Sequence, residues 1–279
     1  MRLGFRDRYL IFGLRRVEGW LEPYSAEFIF MLSDVQRRAG ITGAVAEIGV
    51  HHGKLFNVLA LGTGVGEKAL AIDIFEYQHL NVDRSGLGDR STFLANVRSW
   101  TDCADRVEIV ARSSLEVRAE EILALTGQLR LASIDGGHTE ECTLNDLRLF
   151  ERCLAPQGIV IIDDYFNPHW PDVSTGVAKY FARPEARLRP FAISPNKVYL
   201  TAPENVALYR AGIADASRVS CGKDQQNVRR GGRRLRLRAA AHRPVARAPR
   251  PVEEQRDRAL PVSPQGAHEG HRVGVRHPT

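Results

Sequence analysis

The chain has 279 residues, 43% of them hydrophobic, enough for a substantial core in one large or two small domains. Its formal charge of +6 is unevenly spread: in residues 213–279 fifteen Lys and Arg face six Asp and Glu, giving +9 there and leaving −3 for residues 1–212. The basic character belongs to the C-terminal stretch, so charge gives no argument that the body binds nucleic acid or an anionic membrane. No apolar run approaches the roughly 18–20 residues of a membrane span, and Arg2, Arg6, Arg8, Arg15 and Arg16 interrupt what would be the core of a signal peptide. Cys103, Cys142, Cys153 and Cys221 show neither CxxC spacing nor a disulfide framework. They read as reduced thiols of a cytoplasmic protein, without zinc.

Residues 1–43 read as an N-terminal helical segment. Leu10, Ile11, Leu14 and Val17 recur at helical spacing, and a second helix runs from Ser25, as its cap, to Arg38, closed by Gly40. Packing against a sheet accounts for this segment; covering a substrate at the strand ends is a further role open to it. Residues 44–50 form the first strand and lead through His51-His52-Gly53-Lys54 into an apolar helix, Leu55 to Leu61. The loop carries Glu47, Gly49 and Gly53 in ExGxxxG spacing, where glycines let the backbone turn tightly and approach a ligand. It is not the GxGxxG of a dinucleotide site. Lys68 to Ile72 is the second strand, and Asp73 at its end either accepts hydrogen bonds from ribose hydroxyls or serves as a turn aspartate.

Residues 76–90 are polar and glycine-punctuated, a long loop of the kind that carries function or disorder. A helix from Ser91 to Trp100, a third strand from Val107 to Ala111 followed by Ser113 and Ser114, and a helix from Leu115 to Leu125 come next. Leu131–Ile134 and Ile159–Ile162 are continuous apolar runs, as expected of parallel strands covered on both faces. The first ends in Asp135-Gly136-Gly137-His138 and the second in Asp163-Asp164, with a crossover helix from Glu141 to Cys153 between them. In open α/β sheets ligands bind outside the carboxyl ends of the strands, so Asp135, His138, Asp163 and Asp164 share the ligand-binding edge. Clustered carboxylates resist joint ionisation unless a cation neutralises them, and oxygen ligands favour Mg²⁺, Ca²⁺ or Mn²⁺. The alternative is that Asp135 and Asp163 cap turns, Asp164 is solvated and His138 is a turn histidine.

His169 and Trp170, between Pro168 and Pro171, either line a pocket or simply pack. A helix over Gly176–Phe181 follows, and Arg189–Ile193 with Lys197–Thr201 reads as an antiparallel hairpin closing the sheet edge. The alternation of strand and helix predicts an α/β, doubly wound, mainly parallel sheet over residues 44–212. After Tyr209 there is no aromatic residue, and residues 213–279 are Arg-, Ala- and Pro-rich without periodicity. That tail reads as disordered or as a non-native, frame-shifted terminus, with a basic nucleic-acid tether as the competing reading.

Residues 47–53 (EIGVHHG), 71–73 (AID), 133–138 (SIDGGH) and 158–165 (GIVIIDDY) resemble the successive motifs of class I S-adenosylmethionine-dependent methyltransferases. The resemblance is closest to the macrocin O-methyltransferase-like group and covers about residues 40–210. It implies a Rossmann-like fold and Mg²⁺-dependent transfer of a methyl group from S-adenosyl-L-methionine to a hydroxyl of a small molecule, a sugar or glycosylated metabolite. It also implies that Gly49 and Gly53 make room for the methionine part of the cofactor, with Glu47 supporting the loop. Asp73 takes the ribose hydroxyls and Ser113 or Ser114 lies near the adenine. Asp135, Asp163 and Asp164 match metal ligands, and His138 matches a general base, with Asp135 the other group able to take the proton. His51-His52 departs from the small residues common in that loop. The rival readings are a nucleic-acid methyltransferase or RNA-binding protein using the basic tail, and a non-catalytic cofactor-binding protein. Membrane and nucleic-acid partners are not expected, and a homo-oligomer is allowed by the sequence but not readable from it.

Overall fold

Successive residues of a strand face opposite sides of its sheet, and here the alternation divides the core in two. In β1 (Ala44–Ile48), Val45 joins one hydrophobic cluster while Ala44, Ala46 and Ile48 join the other. β5 (Leu154–Ile162) repeats this, with Ile159 and Ile161 on the first side and Val160 and Ile162 on the second. A sheet apolar on both faces must be covered by helices on both. The computed structural model describes residues 3–216 and shows this arrangement.

With β2 (Ala69–Asp73), β3 (Val107–Ala111), β4 (Leu129–Ile134), β6 (Arg189–Ser194) and β7 (Lys197–Thr201), the sheet has seven strands in the order β3-β2-β1-β4-β5-β7-β6. The first five are parallel; β7 runs antiparallel to β5, with Ile162 opposite Val198, and β6 closes the edge antiparallel to β7. This is the expected Rossmann-like doubly wound sheet with its antiparallel hairpin. The strand order reverses between β1 and β4, which opens a crevice beyond their carboxyl ends.

On one face lie the N-terminal helical turns α1 (Phe5–Arg8) and α2 (Leu14–Arg16), linked by a π-helical turn at Tyr9–Gly13, then α3 (Pro23–Arg38), α4 (Lys54–Gly62) and α5 (Arg90–Trp100). On the other lie α6 (Ala119–Thr126), α7 (Glu140–Cys153) and α8 (Pro171–Phe181). Tyr9, Leu14 and Val17 belong to the same core cluster as Val45 and Ile159, so the N-terminal segment shares its core with the sheet.

Several boundaries differ from the sequence expectations. Helix α3 starts at Pro23, with Glu22 as the N-cap residue; proline at the first position is preorganised for a helix start. Ser25, expected as the cap, is buried inside the helix and its Oγ shares a 2.8 Å hydrogen bond with Ser194 Oγ. The helix expected over Leu115–Leu125 is split into a 3₁₀ turn, Ser114–Glu116, and α6. Helix α8 begins at Pro171, five residues before Gly176. Residues 206–216 are helical and were not anticipated. The Arg-rich stretch from residue 217, including Cys221, lies outside the described residues; Cys103, Cys142 and Cys153 are free and buried. No helix among the described residues is long and apolar enough to cross a membrane.

The helix at 206–216 is fastened through Tyr209, which is fully buried and stacks on Phe191 at 5.2 Å between ring centroids. Its hydroxyl hydrogen-bonds the Gln157 carbonyl and accepts from Gln36 Nε2 at 3.1 Å. Gln36 Oε1 in turn accepts at 2.7 Å from Arg130, a buried side chain on β4 paired with Glu67. Tyr209→Ala leaves a cavity and takes the hydroxyl from the Gln157 carbonyl, while Gln36 Nε2 keeps the Arg130 carbonyl; it should lower unfolding free energy by roughly 3–5 kcal/mol, measured by urea denaturation.

Candidate active site

The turn after β1 is fixed by backbone geometry. Gly49 has φ +81°, and a Cβ built there would lie 1.8 Å from the Asp135 carbonyl oxygen, so the β1 and β4 ends approach as only glycine permits. Gly53, also at positive φ, precedes α4 and faces the Phe93 ring, where a Cβ would come within 2.9 Å. Glu47 is buried on β1 opposite Ser133, and burial, reinforced by the Asp135 charge, pushes its carboxyl well above the usual range.

Asp73 closes β2. Its Oδ2 accepts from the His51 backbone N–H at 2.9 Å and its Oδ1 from that of Phe75 at 2.7 Å. Burial raises its pKa against these hydrogen bonds. Each carboxylate oxygen keeps a further lone pair for a ligand hydroxyl. The 76–90 loop folds over this carboxylate, with Gly88 close enough that a Cβ would lie 3.1 Å from Asp73 Oδ1. Ser113 and Ser114 follow β3. Ser113 Oγ accepts from Leu115 N at 3.3 Å, while the Ser114 carbonyl accepts from Asn145 Nδ2 at 3.3 Å, beside the buried Asp146, whose carboxyl burial pushes up to about 6.

The ends of β4 and β5 carry the acidic groups. Asp164 sits at φ +56°, a left-handed conformation that aspartate tolerates, and this turn aims its Oδ2 to within 3.0 Å of His138 Nε2. Its Oδ1 accepts from Asn167 at 2.7 Å and from Asn196 at 2.6 Å. Burial opposes its ionisation, but the hydrogen bonds from His138, Asn167 and Asn196 hold its pKa at about 2. Asp135 Oδ1 is 3.8 Å from His138 Nε2; burial first, then the Asp163 charge, push its carboxyl up to about 7.

Asp83, from the polar loop, had no sequence signal marking it for the site. Its Oδ2 accepts from the His138 backbone N–H at 2.7 Å and lies 2.8 Å from Nδ1. Trp170 stacks on the imidazole at 4.5 Å between centroids and 13° between planes. Trp170 therefore lines the cavity, while its neighbour His169 is exposed.

Asp135, His138 and Asp164 each offer one ligand atom, all within 4.8 Å of one another, a set able to hold a metal ion. Asp163 lines the same cavity but is engaged differently: its Oδ2 forms a buried ion pair with Lys197 Nζ.

These residues line one cavity of about 740 Å³, within the size range of small-molecule sites. Gly49, Asp73, Ser113 and Ser114 lie along it with Asp135, His138, Asp163 and Asp164; Glu47 and Gly53 stand behind the wall. Residues 19–22 of the N-terminal segment complete it. They are fastened by Lys54 Nζ, which donates to the Gly19 carbonyl at 2.8 Å, and by Tyr9, whose hydroxyl donates to the Lys54 carbonyl at 2.7 Å.

Residues 46–165 match the family described as Methyltransferase domain. No curated protein matches the sequence. Among solved structures, the O-methyltransferase NovP superposes with a TM-score of 0.52 at 18% identity, covering 63% of this chain and 78% of its own. An O-methyltransferase from Bacillus cereus in complex with SAH superposes with a TM-score of 0.51 at 14% identity, covering 72% of this chain and 90% of its own. The chain shares with them the class I methyltransferase fold.

Without a bound cation, His138 is charged. Burial works against protonation, but the Asp135 carboxylate at 3.8 Å, the Asp164 carboxylate at 3.0 Å and Asp83 push its pKa up to about 10. A pKa raised on folding stabilises the native state fully below the unfolded value near ~6.5, and that contribution is lost as pH rises through about 10. In chelator-treated protein, long-range ¹H–¹⁵N NMR should show the His138 ring titrating near pH 10; titration near 6.5 would refute the enclosure by carboxylates.

Proposed function

We propose that this chain is an S-adenosylmethionine-dependent O-methyltransferase acting on a hydroxyl of a small molecule, a sugar or glycosylated metabolite, with Mg²⁺ bound at the acidic edge. The observation that carries the reading is a His138–Asp83 pair facing two carboxylates, in the cavity that also holds the Gly49 turn and Asp73. Two features support the cofactor: the glycine turn after β1 keeps backbone without side chains on the cavity wall, and Asp73 offers oxygens to a ribose diol. Ser113 and Ser114 stand on the side assigned to the adenine. S-adenosylmethionine, when bound, supplies an electrophilic methyl group on sulfur. Asp135 and Asp164 fit a hard divalent ion, which when bound polarises an acceptor oxygen and lowers its pKa.

The remaining work belongs to the protein. Asp83 accepts the Nδ1 proton of His138 and so fixes the tautomer in which Nε2 is the base. As the acceptor oxygen bonds to the methyl carbon and the carbon–sulfur bond breaks, His138 Nε2 takes the hydroxyl proton. Positioning the hydroxyl behind the methyl group contributes at least as much as proton transfer, since alignment alone is worth on the order of 7–11 kcal/mol. Trp170 beside the base and Trp20 at the cavity wall offer faces on which a sugar ring can lie, with the carboxylates accepting from its hydroxyls. Residues 217–279 play no part in this reading.

The test is methyl transfer to a panel of glycosides and free sugars, followed by release of S-adenosylhomocysteine. Turnover should require Mg²⁺ and stop with EDTA. His138→Gln should lower kcat by about 10²- to 10⁴-fold, the usual range for general-base loss. Asp83→Asn should lower kcat and shift the pH–rate profile with little change in the KM for cofactor. Turnover insensitive to EDTA and to His138→Gln would refute the mechanism.

A further inference from the structure

Of the three carboxylates at the β4 and β5 ends, one is already neutralised by the protein. Lys197 opens β7, and because β7 runs antiparallel to β5 with Val198 opposite Ile162, it stands beside the residue that follows β5, Asp163. Its side chain is 3% exposed, that of Asp163 is 6% exposed, and the two form a direct ion pair. The other Asp163 oxygen, Oδ1, accepts from the Asp164 backbone N–H at 2.9 Å and from Asn196 Nδ2 at 3.2 Å. Both oxygens are therefore held by donors from within the fold. Asp135 and Asp164 instead turn toward His138 and the cavity.

We propose that Lys197 is a built-in counter-cation that withdraws Asp163 from the ligand set, so that the divalent ion is held by Asp135 and Asp164 while Asp163 serves the ammonium. This rests on the cation-dependent reading above and deepens it. The physical reason is the cost of isolating a buried charge. If Asp163 turned to a metal ion, the Lys197 ammonium would be left buried beside a divalent cation, losing its partner and gaining a repulsion. The lysine also places a fixed positive charge at the edge of the ion site. Fewer available carboxylates and that added charge both weaken the ion's hold, because ligand charge count sets the affinity of such sites. Lys197 is thus a positioning residue, acting through the carboxylate it occupies.

The test is Mn²⁺ titration of the full chain, with free Mn²⁺ read by electron paramagnetic resonance. Asp164→Asn should weaken Mn²⁺ binding at least tenfold. Lys197→Met, which frees Asp163, should tighten it at least tenfold. The double variant Asp163→Asn with Lys197→Met, which buries no unpaired charge, should return to within threefold of the wild type. If Lys197→Met does not fold, the double variant still decides. A double variant as weak as Asp164→Asn would make Asp163 a ligand and overturn the inference, as would Lys197→Met without tightening. Absence of Mn²⁺ binding from the wild type and every variant would instead remove the cation site itself, and the inference with it.

Discussion

The constraint on which this molecule depends is electrostatic: Glu47, Asp73, Asp135, Asp163 and Asp164 all stand at the carboxyl edge of one sheet, with Asp83 folded over them. A low-dielectric edge cannot carry that many ionised carboxylates uncompensated. The protein meets the demand in three ways. Lys197 neutralises Asp163 from below. His138 gathers Asp83, Asp135 and Asp164 around one imidazolium. Burial pushes Glu47 and Asp135 toward their neutral forms. Each device offsets part of the negative charge rather than adding to it, and only the carboxylates left over, Asp164 among them, can attract a cationic ligand.

The same arrangement explains the protonation of the histidine. Enclosed by carboxylates, it holds a proton too tightly to act as a base near neutrality. In the proposed mechanism Asp135 and Asp164 would hold a divalent ion whose charge would stand in for that of the imidazolium, and His138 Nε2 would then be able to accept a proton. Asp83 keeps the ring in place in either state, because it also anchors the His138 backbone N–H. The aromatic face of Trp170 restricts the ring further, so proton affinity can change without loss of orientation.

Much of this was legible in the sequence wherever a feature repeats locally. Continuous apolar runs marked β4 and β5, and carboxylates placed immediately after them had to fall at the ligand-binding edge. The glycine turn after β1 was equally visible, since Gly49 meets a backbone clash that any side chain would suffer. What could not be read was pairing across the sheet. Lys197 looks like an ordinary polar start to an edge strand; only the insertion of β7 between β5 and β6 turns it inward onto Asp163. Asp83 lies in a loop without periodicity, so nothing local tied it to His138. Ser25 was misread because serine before an apolar helix is a strong cap signal. Pro23 two residues earlier is another, and the Ser25 hydroxyl is claimed by Ser194. The helix at 206–216 was missed because its anchor is a single tyrosine in a stretch of changing composition.

The central claim is that the strand-end cavity is an S-adenosylmethionine pocket read by Asp73. Calorimetric titration of S-adenosylmethionine into the full chain and into Asp73→Asn tests it most directly. The account predicts one cofactor site per chain in the wild type, weakened at least tenfold by the substitution. A wild type that binds no cofactor, or a variant that binds it unchanged, would contradict the account.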